Sequence, residues 1–319
     1  MPAPGVPAVS VVIPTYHRPE MLRTALESVL AQELVGAFEV VVALSDPEAA
    51  ADRAAAEAVA AADPRVHVTA APSSAGPASA RNAGIRAARG GILAFIDDDC
   101  RAEPGWLAAG VSALGSADLV QGRTDPERPP GPFDHFVAVH ELSWLWETCN
   151  LFVRRESVDA AGGLPETRLL GGAVDHRVMG EDTEWGWRLV RAGARPAFAE
   201  EARVLHAVVP RGFGGHLAYH ARMRYFPRLL LSTPEAARHF WSPHFVTRRH
   251  AVITASLGLL AAGEVARRAG RRRLGRLATV AGAAGLLSPA RRSAPAAVTE
   301  AVVYGSAVWG SIRWRRILL

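Results

Sequence analysis

The chain has no lysine. All 36 of its basic side chains are arginine, which excludes a Walker-type phosphate loop, Schiff-base chemistry and a lysine general base. Cysteine is almost as scarce: Cys100 and Cys149 are the two in 319 residues. Two are too few for a disulfide framework, and Cys100 directly follows an acidic triplet, an awkward place for a bridge. That scarcity suits a reducing, cytosolic setting. A long apolar run is also missing from the start. Val9 to Pro14 is strand-length and ends on proline, so no signal peptide is expected. No internal repeat is visible.

What is present is a chain long enough for one large α/β domain with an appendage, and a 49% hydrophobic content sufficient for a packed core. The modest net charge of +5 hides a bipolar molecule. Up to residue 209 there are 18 arginines against 28 acidic residues; beyond it 18 arginines meet only Glu235, Glu264 and Glu300. A cationic tail behind an acidic body points to an anionic surface as the tail's partner. The division predicts a catalytic domain over 1–209 and an arginine-rich helical region over 210–319.

Val9–Ile13 is short, β-branched and closed by Pro14, and a helical apolar period follows through Met21, Leu22, Ala25, Val29 and Leu30. The pattern repeats with a strand at Phe38–Leu44, an alanine-rich helix at Glu48–Ala62, a strand at Arg65–Ala70, a helix at Pro77–Arg89 and a strand at Ile92–Ile96. Strands alternating with helices predict a parallel sheet buried on both faces, with ligands at the carboxyl ends of its strands. Gly122 to Pro132 reads as a loop. A strand at Asn150–Val153, a short helix at Ser157–Ala161 closed by Gly162-Gly163, and a helix from Thr183 to Ala192 complete the reading.

Three constellations carry chemistry. Asp97-Asp98-Asp99 follows the last buried strand, an Asp-x-Asp pattern in which alternation would send Asp97 and Asp99 to one side. Clustered carboxylates there suit a hard divalent cation, Mg²⁺ or Mn²⁺, bridging to phosphates; a solvated turn or an N-cap for the helix beginning near Pro104 is the plainer alternative. Arg81, on the first turns of a helix in the run Gly76 to Gly84, faces either a phosphate or these same aspartates. Glu181-Asp182 opens a helix, where carboxylates cap and suit the dipole, but the pair also sits beside Trp185 and Trp187, aromatic residues able to stack on a sugar. His206, after Val204-Leu205, reads as a metal ligand or a structural histidine.

The stretch Val9-Ser-Val-Val-Ile-Pro-Thr-Tyr-His-Arg-Pro19, the Ala-Arg-Asn-Ala-Gly run, Phe-Ile-Asp-Asp-Asp with Pro104-Gly-Trp-Leu107 behind it, and Gly-Glu-Asp-Thr-Glu-Trp-Gly-Trp-Arg together resemble the family 2 glycosyltransferases of GT-A fold. The resemblance covers residues 9 to about 206. It implies a Rossmann-like, mostly parallel sheet with flanking helices. It also implies an inverting transfer from a nucleoside-diphosphate sugar, usually a uridine one, to a hydroxyl acceptor with a divalent metal. Matched residue by residue, Pro14, Thr15 and Tyr16 would line the nucleoside pocket with Arg18 nearby. Arg81 would face the nucleotide, Asp97 the ribose and donor sugar with Asp98 beside it, Asp99 and His206 the metal, with Asp97 in reach. Asp182 would be the base and Glu181 its neighbour at the helix start.

Two departures qualify this. Ala43-Leu44-Ser45-Asp46-Pro47 stands where the family usually has two aspartates, glycine and serine, leaving Asp46 as the nearest base-contacting carboxylate. The Gln-x-x-Arg-Trp signature of processive synthases does not follow Asp182, which argues for single-sugar transfer. Acceptor choice would lie in 122–148 and 164–180, with His140, Trp144 and Trp146 as contacts or as packing. In the tail, Ala251–Gly263, Leu277–Leu287 and Ala296–Ile312 are apolar but marginal as spans, and the arginines between them predict association with the inner face of a membrane, favouring a lipid-linked or envelope acceptor. No nucleic-acid partner is expected. A non-catalytic sugar-nucleotide-binding module or a membrane scaffold is the competing reading.

Overall fold

The computed structural model describes residues 7–72, 76–166, 180–242, 244–287 and 294–318. The chain forms two compact units, Met1–Pro210 and Arg211–Leu319.

In the first unit, β1 (Val9–Thr15), α1 (Pro19–Leu30), β2 (Phe38–Leu44), α2 (Ala50–Ala62), β3 (Val66–Ala70), α3 (Pro77–Ala87) and β4 (Ile92–Ile96) alternate as the sequence predicts. They are followed by β5 (Cys100–Ala102), α4 (Trp106–Ala113), β6 (Leu119–Pro126), β7 (Asp134–His135), β8 (Asn150–Arg154), α5 (Arg155–Ala161), α6 (Glu181–Arg191), β9 (Pro196–His206) and β10 (Val209–Pro210). The main sheet has eight strands in the order β3-β2-β1-β4-β8-β6-β9-β5. Strands β1 to β4 are mutually parallel; β8 runs antiparallel between β4 and β6, and β5 antiparallel against β9. The sheet is therefore mostly rather than wholly parallel, because after β4 the chain turns at Asp97–Asp99 instead of crossing over.

Both faces are packed, which is why β1, β2 and β4 read as nearly unbroken apolar runs. Val9, Val11 and Ile13 of β1 join Leu22, Leu26 and Val29 of α1 on one face, with Trp106 and Leu107 of α4. Val12, Val41, Leu93 and Phe95 meet Trp185 and Leu189 of α6 on the other. Burial of the larger of these side chains is worth about 1.5–3 kcal/mol each.

The loop expected to start at Gly122 is instead the middle of β6. A methyl group at Gly122 would come within 2.3 Å of the Ala202 carbonyl and 2.4 Å of the Asn150 amide, so this glycine admits close approach rather than a turn. Asn150 uses that room: its Nδ2 donates to the carbonyls of Arg123 and Ala202, and its Oδ1 accepts from Trp106 Nε1. One buried amide thus joins β6, β8, β9 and α4.

The second unit is helical: α7 (Gly212–His220), a 3₁₀ segment Ala221–Tyr225, α8 (Phe226–Ser232), a 3₁₀ segment Pro234–His239, α9 (Arg248–Arg268), α10 (Arg272–Leu287) and α11 (Ala294–Trp314). Thr247 caps α9 by accepting from His250 N, and Arg249 pairs with Glu300 of α11 at 2.8 Å. Among the described residues no helix is long and apolar enough to cross a membrane. Arg291-Arg292 and most of the predicted acceptor loop 164–180 lie outside the described residues.

Candidate active site

The carboxyl ends of β1, β2 and β4 open on a cavity of about 240 Å³ lined by Pro14, Thr15, Tyr16, Arg18, Ser45, Gly76, Pro77, Arg81 and Asp97 to Asp99. Its rim loop after β1 is fixed from outside. Buried Asp52 of α2 accepts from the backbone N–H groups of His17, at 2.5 Å, and Arg18, at 2.9 Å. His17 holds a left-handed φ of 54° there. Asp46 pairs with His17 Nε2 at 3.3 Å and accepts from Glu48 N. Ser45, not Asp46, lines the cavity wall at the end of β2.

The triplet is a turn, not a strand continuation, so alternation does not sort it. Asp97 pairs with Arg81 Nη2 at 2.6 Å. Asp98, the middle one, is the structural anchor: its Oδ2 accepts from Thr15 Oγ1 at 2.8 Å and Tyr16 N at 3.3 Å, and its Oδ1 meets Arg18 Nη1 at 3.1 Å. Burial pushes the Asp98 carboxyl up to about 7, with the charges of Asp99 and Asp97 adding to it and Arg18 and Thr15 opposing. Asp99 takes the same Arg18 nitrogen at 2.5 Å and lies 3.6 Å from His206 Nε2.

Asp99 and His206 meet because β5 pairs with β9 in the register Cys100↔His206, and Ala207 N closes the ladder on the Asp99 carbonyl at 2.7 Å. His206 Nδ1 lies 2.7 Å from the Ala207 carbonyl. A carbonyl can only accept, so Nδ1 donates to it, and Nε2 is the ring nitrogen that faces Asp99. Asp99, Cys100 and His206 offer ligand atoms within 4.8 Å of one another. A hydrogen bond with Cys149, together with burial, raises the Cys100 thiol well above its ordinary range, leaving it protonated and a poor ligand. Both cysteines are free and buried. The remaining oxygen and imidazole donors suit Mg²⁺ or Mn²⁺. The charge agrees: Asp97, Asp98, Asp99 and Asp182 surround two guanidinium groups, those of Arg18 and Arg81.

Arg81 is buried and shared. Beside its pair with Asp97, its Nη1 lies 3.6 Å from Asp182 Oδ1. Burial disfavours its charge, but Asp97, Asp182 and Glu181 outweigh burial and raise its pKa. Asp182 stands on the first turn of α6, behind Gly180 with φ 101°. Burial raises its carboxyl, opposed by Arg81 and supported by Asp97. Two donors of Thr148, a residue the sequence did not single out, reach its Oδ2. Glu147, which is held by Gln121 at 2.9 Å, is also raised, first by burial.

Trp185 is not available to a sugar. It is fully buried, edge-on to Phe95 with ring centroids 5.4 Å apart, and its Nε1 donates to the Gly162 carbonyl at 2.8 Å. With Leu189 four residues on, it forms the core stripe of α6. Trp146 is buried against Trp187, whereas His140 is exposed and lies 2.9 Å from Asp125.

Residues 10–155 match the family model described as Glycosyl transferase family 2. Those residues, a little under half of the chain, are thus similar to a family 2 glycosyltransferase domain. Among relatives of this glycosyltransferase, the protein named Glycosyltransferase AglE of Haloferax volcanii is 28% identical over 219 residues, covering 65% of this chain and 69% of that protein. Succinoglycan biosynthesis protein ExoO of Rhizobium meliloti is 42% identical over 102 residues, which are 32% of this chain and 28% of that protein. Of the relatives beyond AglE, the chain therefore spans less than a third. The solved mannosyltransferase PcManGT from Pyrobaculum calidifontis, in complex with GDP-Man and Mn²⁺, superposes with a TM-score of 0.59 at 18% identity over 98% of this chain and 88% of that one. S. aureus TarS gives 0.51 at 17% identity, with 95% and 55% covered. The fold is thus of the GT-A type. Asp182 and His206 lie beyond the matched residues.

Proposed function

We propose that this glycosyltransferase moves a single sugar from a nucleoside-diphosphate sugar, a UDP-sugar in the first instance, to a hydroxyl acceptor with inversion at the anomeric carbon. The observation that carries the reading is Arg81, one guanidinium between Asp97 on the donor side and Asp182 on the other. The cavity beside Tyr16 and Ser45 accommodates the nucleoside, and Arg81 and Arg18 are the cations in reach of its diphosphate. Asp99 and His206 would hold Mn²⁺ or Mg²⁺, with Asp97 nearby. Bound there, the ion supplies positive charge to the departing diphosphate. Asp182 takes the proton from the acceptor hydroxyl as that oxygen bonds to the anomeric carbon, and the electron pair of the breaking bond leaves with the diphosphate. Glu181, next to Asp182, adds negative charge at the helix start.

Through its second unit the enzyme acts at the inner face of the cell membrane, which favours a lipid-linked or envelope-glycan acceptor; the excess of arginine over acid beyond residue 209 supports this. The test is a donor screen, with UDP-sugars and GDP-mannose included, that reads nucleoside diphosphate release with and without Mn²⁺, followed by NMR of the product anomer. Release in excess chelator, or a retained configuration, would overturn the proposal.

A further inference from the structure

Helices α9 and α10 form a hairpin that is packed inside out. Beyond His250, which opens α9 beside Glu300 of α11, the buried positions among the described residues of the hairpin are Ser256, Gly263, Gly275 and Gly282. A methyl group on Gly263 would come within 2.9 Å of the Gly275 carbonyl, and one on Gly282 within 2.6 Å of the Ser256 carbonyl, so the two backbones run at the closest approach that glycine permits. Leu260 is half-buried against Gly282, but six other large apolar side chains stand on the outside. Leu257, Leu259, Val265, Leu274, Leu277 and Val280 are between 41% and 69% exposed. Small residues at a helix seam with leucine and valine outside is the arrangement that suits a lipid environment, where apolar exteriors carry no penalty. In water, six such exposed residues on two adjacent helices call for a partner.

The hairpin's turn specifies the partner's charge. Glu264 pairs with Arg267 and Arg268, while Arg271, Arg272, Arg273 and Arg276 have no carboxylate partner among the described residues. Four uncompensated guanidinium groups beside an apolar shaft match the phosphates of anionic lipids, each worth about 1 kcal/mol near such a surface. A nucleic acid would meet the arginines but leave the apolar exterior uncovered. Length decides the mode. At about 1.5 Å per residue, the apolar part of α9 from Ala251 to Gly263 is about 20 Å, short of the ~30 Å hydrocarbon core.

We propose that the α9–α10 hairpin is a membrane-docking element that lies in the plane of an anionic bilayer's interface, with its outer leucines and valines among the acyl chains and the arginines of its turn on the lipid phosphates. This deepens, and rests on, the reading of the enzyme as one that works at a membrane surface.

The test is flotation of the full chain with phosphatidylcholine vesicles and with phosphatidylglycerol-rich vesicles, for the native protein, for Leu274→Glu with Leu277→Glu, and for Arg271→Gln with Arg272→Gln and Arg273→Gln. Donor hydrolysis and thermal melting are read on the same samples. The native chain should float with the anionic vesicles. The leucine variant should partition about tenfold less at low and high salt, and the arginine variant should lose the preference for anionic over neutral lipid, both with donor hydrolysis intact. Flotation of both variants at the native level, no flotation of the native chain, or a native dimer that the leucine variant turns into a monomer in sedimentation equilibrium would overturn the assignment. Flotation without any donor hydrolysis would instead count against the glycosyltransferase mechanism and leave the docking element standing. Should the leucine variant melt like an unfolded chain, the arginine variant decides.

Discussion

Thr148 gives both of its donors to one oxygen of Asp182: the backbone N–H at 3.3 Å and the hydroxyl at 3.0 Å both reach Oδ2. Oδ1 is left buried and without a hydrogen bond, 3.6 Å from Arg81. A carboxylate saturated on one oxygen and unsatisfied on the other has a defined direction in which to accept a proton.

Asp182→Asn removes that capacity and little volume. Transfer should fall by about 10²–10⁴-fold in kcat, while donor binding, measured by calorimetry, stays near native. Near-native transfer would refute the assignment of Asp182 as the base.

The same contact sets a pH dependence. Burial raises the Asp182 carboxyl while the Thr148 hydroxyl and Arg81 pull it down. The base works ionised, so transfer should rise with pH through a limb above the ordinary carboxylate range. Thr148→Val removes one of the groups that favour the charged form and should move that limb higher; Thr148→Ser should restore it. The profile of kcat/KM against pH gives the answer, and a limb that ignores Thr148→Val would leave the hydroxyl a packing role only.

Asp99→Ala and His206→Ala should each weaken Mn²⁺ binding at least about tenfold, read by electron paramagnetic resonance without donor present. Unchanged binding in the His206 variant would return that imidazole to its place in the β5–β9 ladder alone.

Arg18 now stands where a cation is wanted, against both Asp98 and Asp99. Arg18→Ala should therefore tighten Mn²⁺ binding to the donor-free enzyme by roughly three- to tenfold and weaken binding of nucleoside diphosphate. Equal Mn²⁺ affinity in both proteins would show that the guanidinium does not compete with the ion.

Gly110 of α4 lies against Phe152 of β8, and an added methyl group would meet the ring at 2.2 Å. Gly110→Ala should lower stability by about 1–3 kcal/mol in denaturant titrations through overpacking, with the donor cavity on the strand ends little altered.

Much of this was legible in the sequence because β1, β2 and β4 are β-branched runs punctuated by proline, glycine and acidic turns, and both β2 and β4 have the predicted bounds. Asp97 to Asp99 could be placed at a strand end for the same reason. Other features left no such trace. β5 has three residues and no period of its own, and β9 carries Glu200 and Glu201 in mid-strand, which breaks its apolar pattern. The role of Gly122 depends on Asn150, far along the chain, and that of Thr148 on Asp182. Trp185 reads as a sugar platform in the sequence because helical spacing places it one turn from the acidic pair without telling which side is core; the i, i+4 partner Leu189 is the signal that marks it as core.

The short ladder between β5 and β9 also fixes the order in which the site can exist. A chain stopping at residue 155 would contain the donor cavity, Arg18, Arg81 and the aspartate turn, but neither Asp182 nor His206. During synthesis the carboxylates are made first and wait for their partners, and the last strand of the sheet delivers the imidazole only as it zips onto Cys100. Meeting of Asp99 with His206 and completion of the sheet are one event, so, if the proposed metal site holds, a lesion that frays β9 would be expected to look, in an assay, like the loss of an ion.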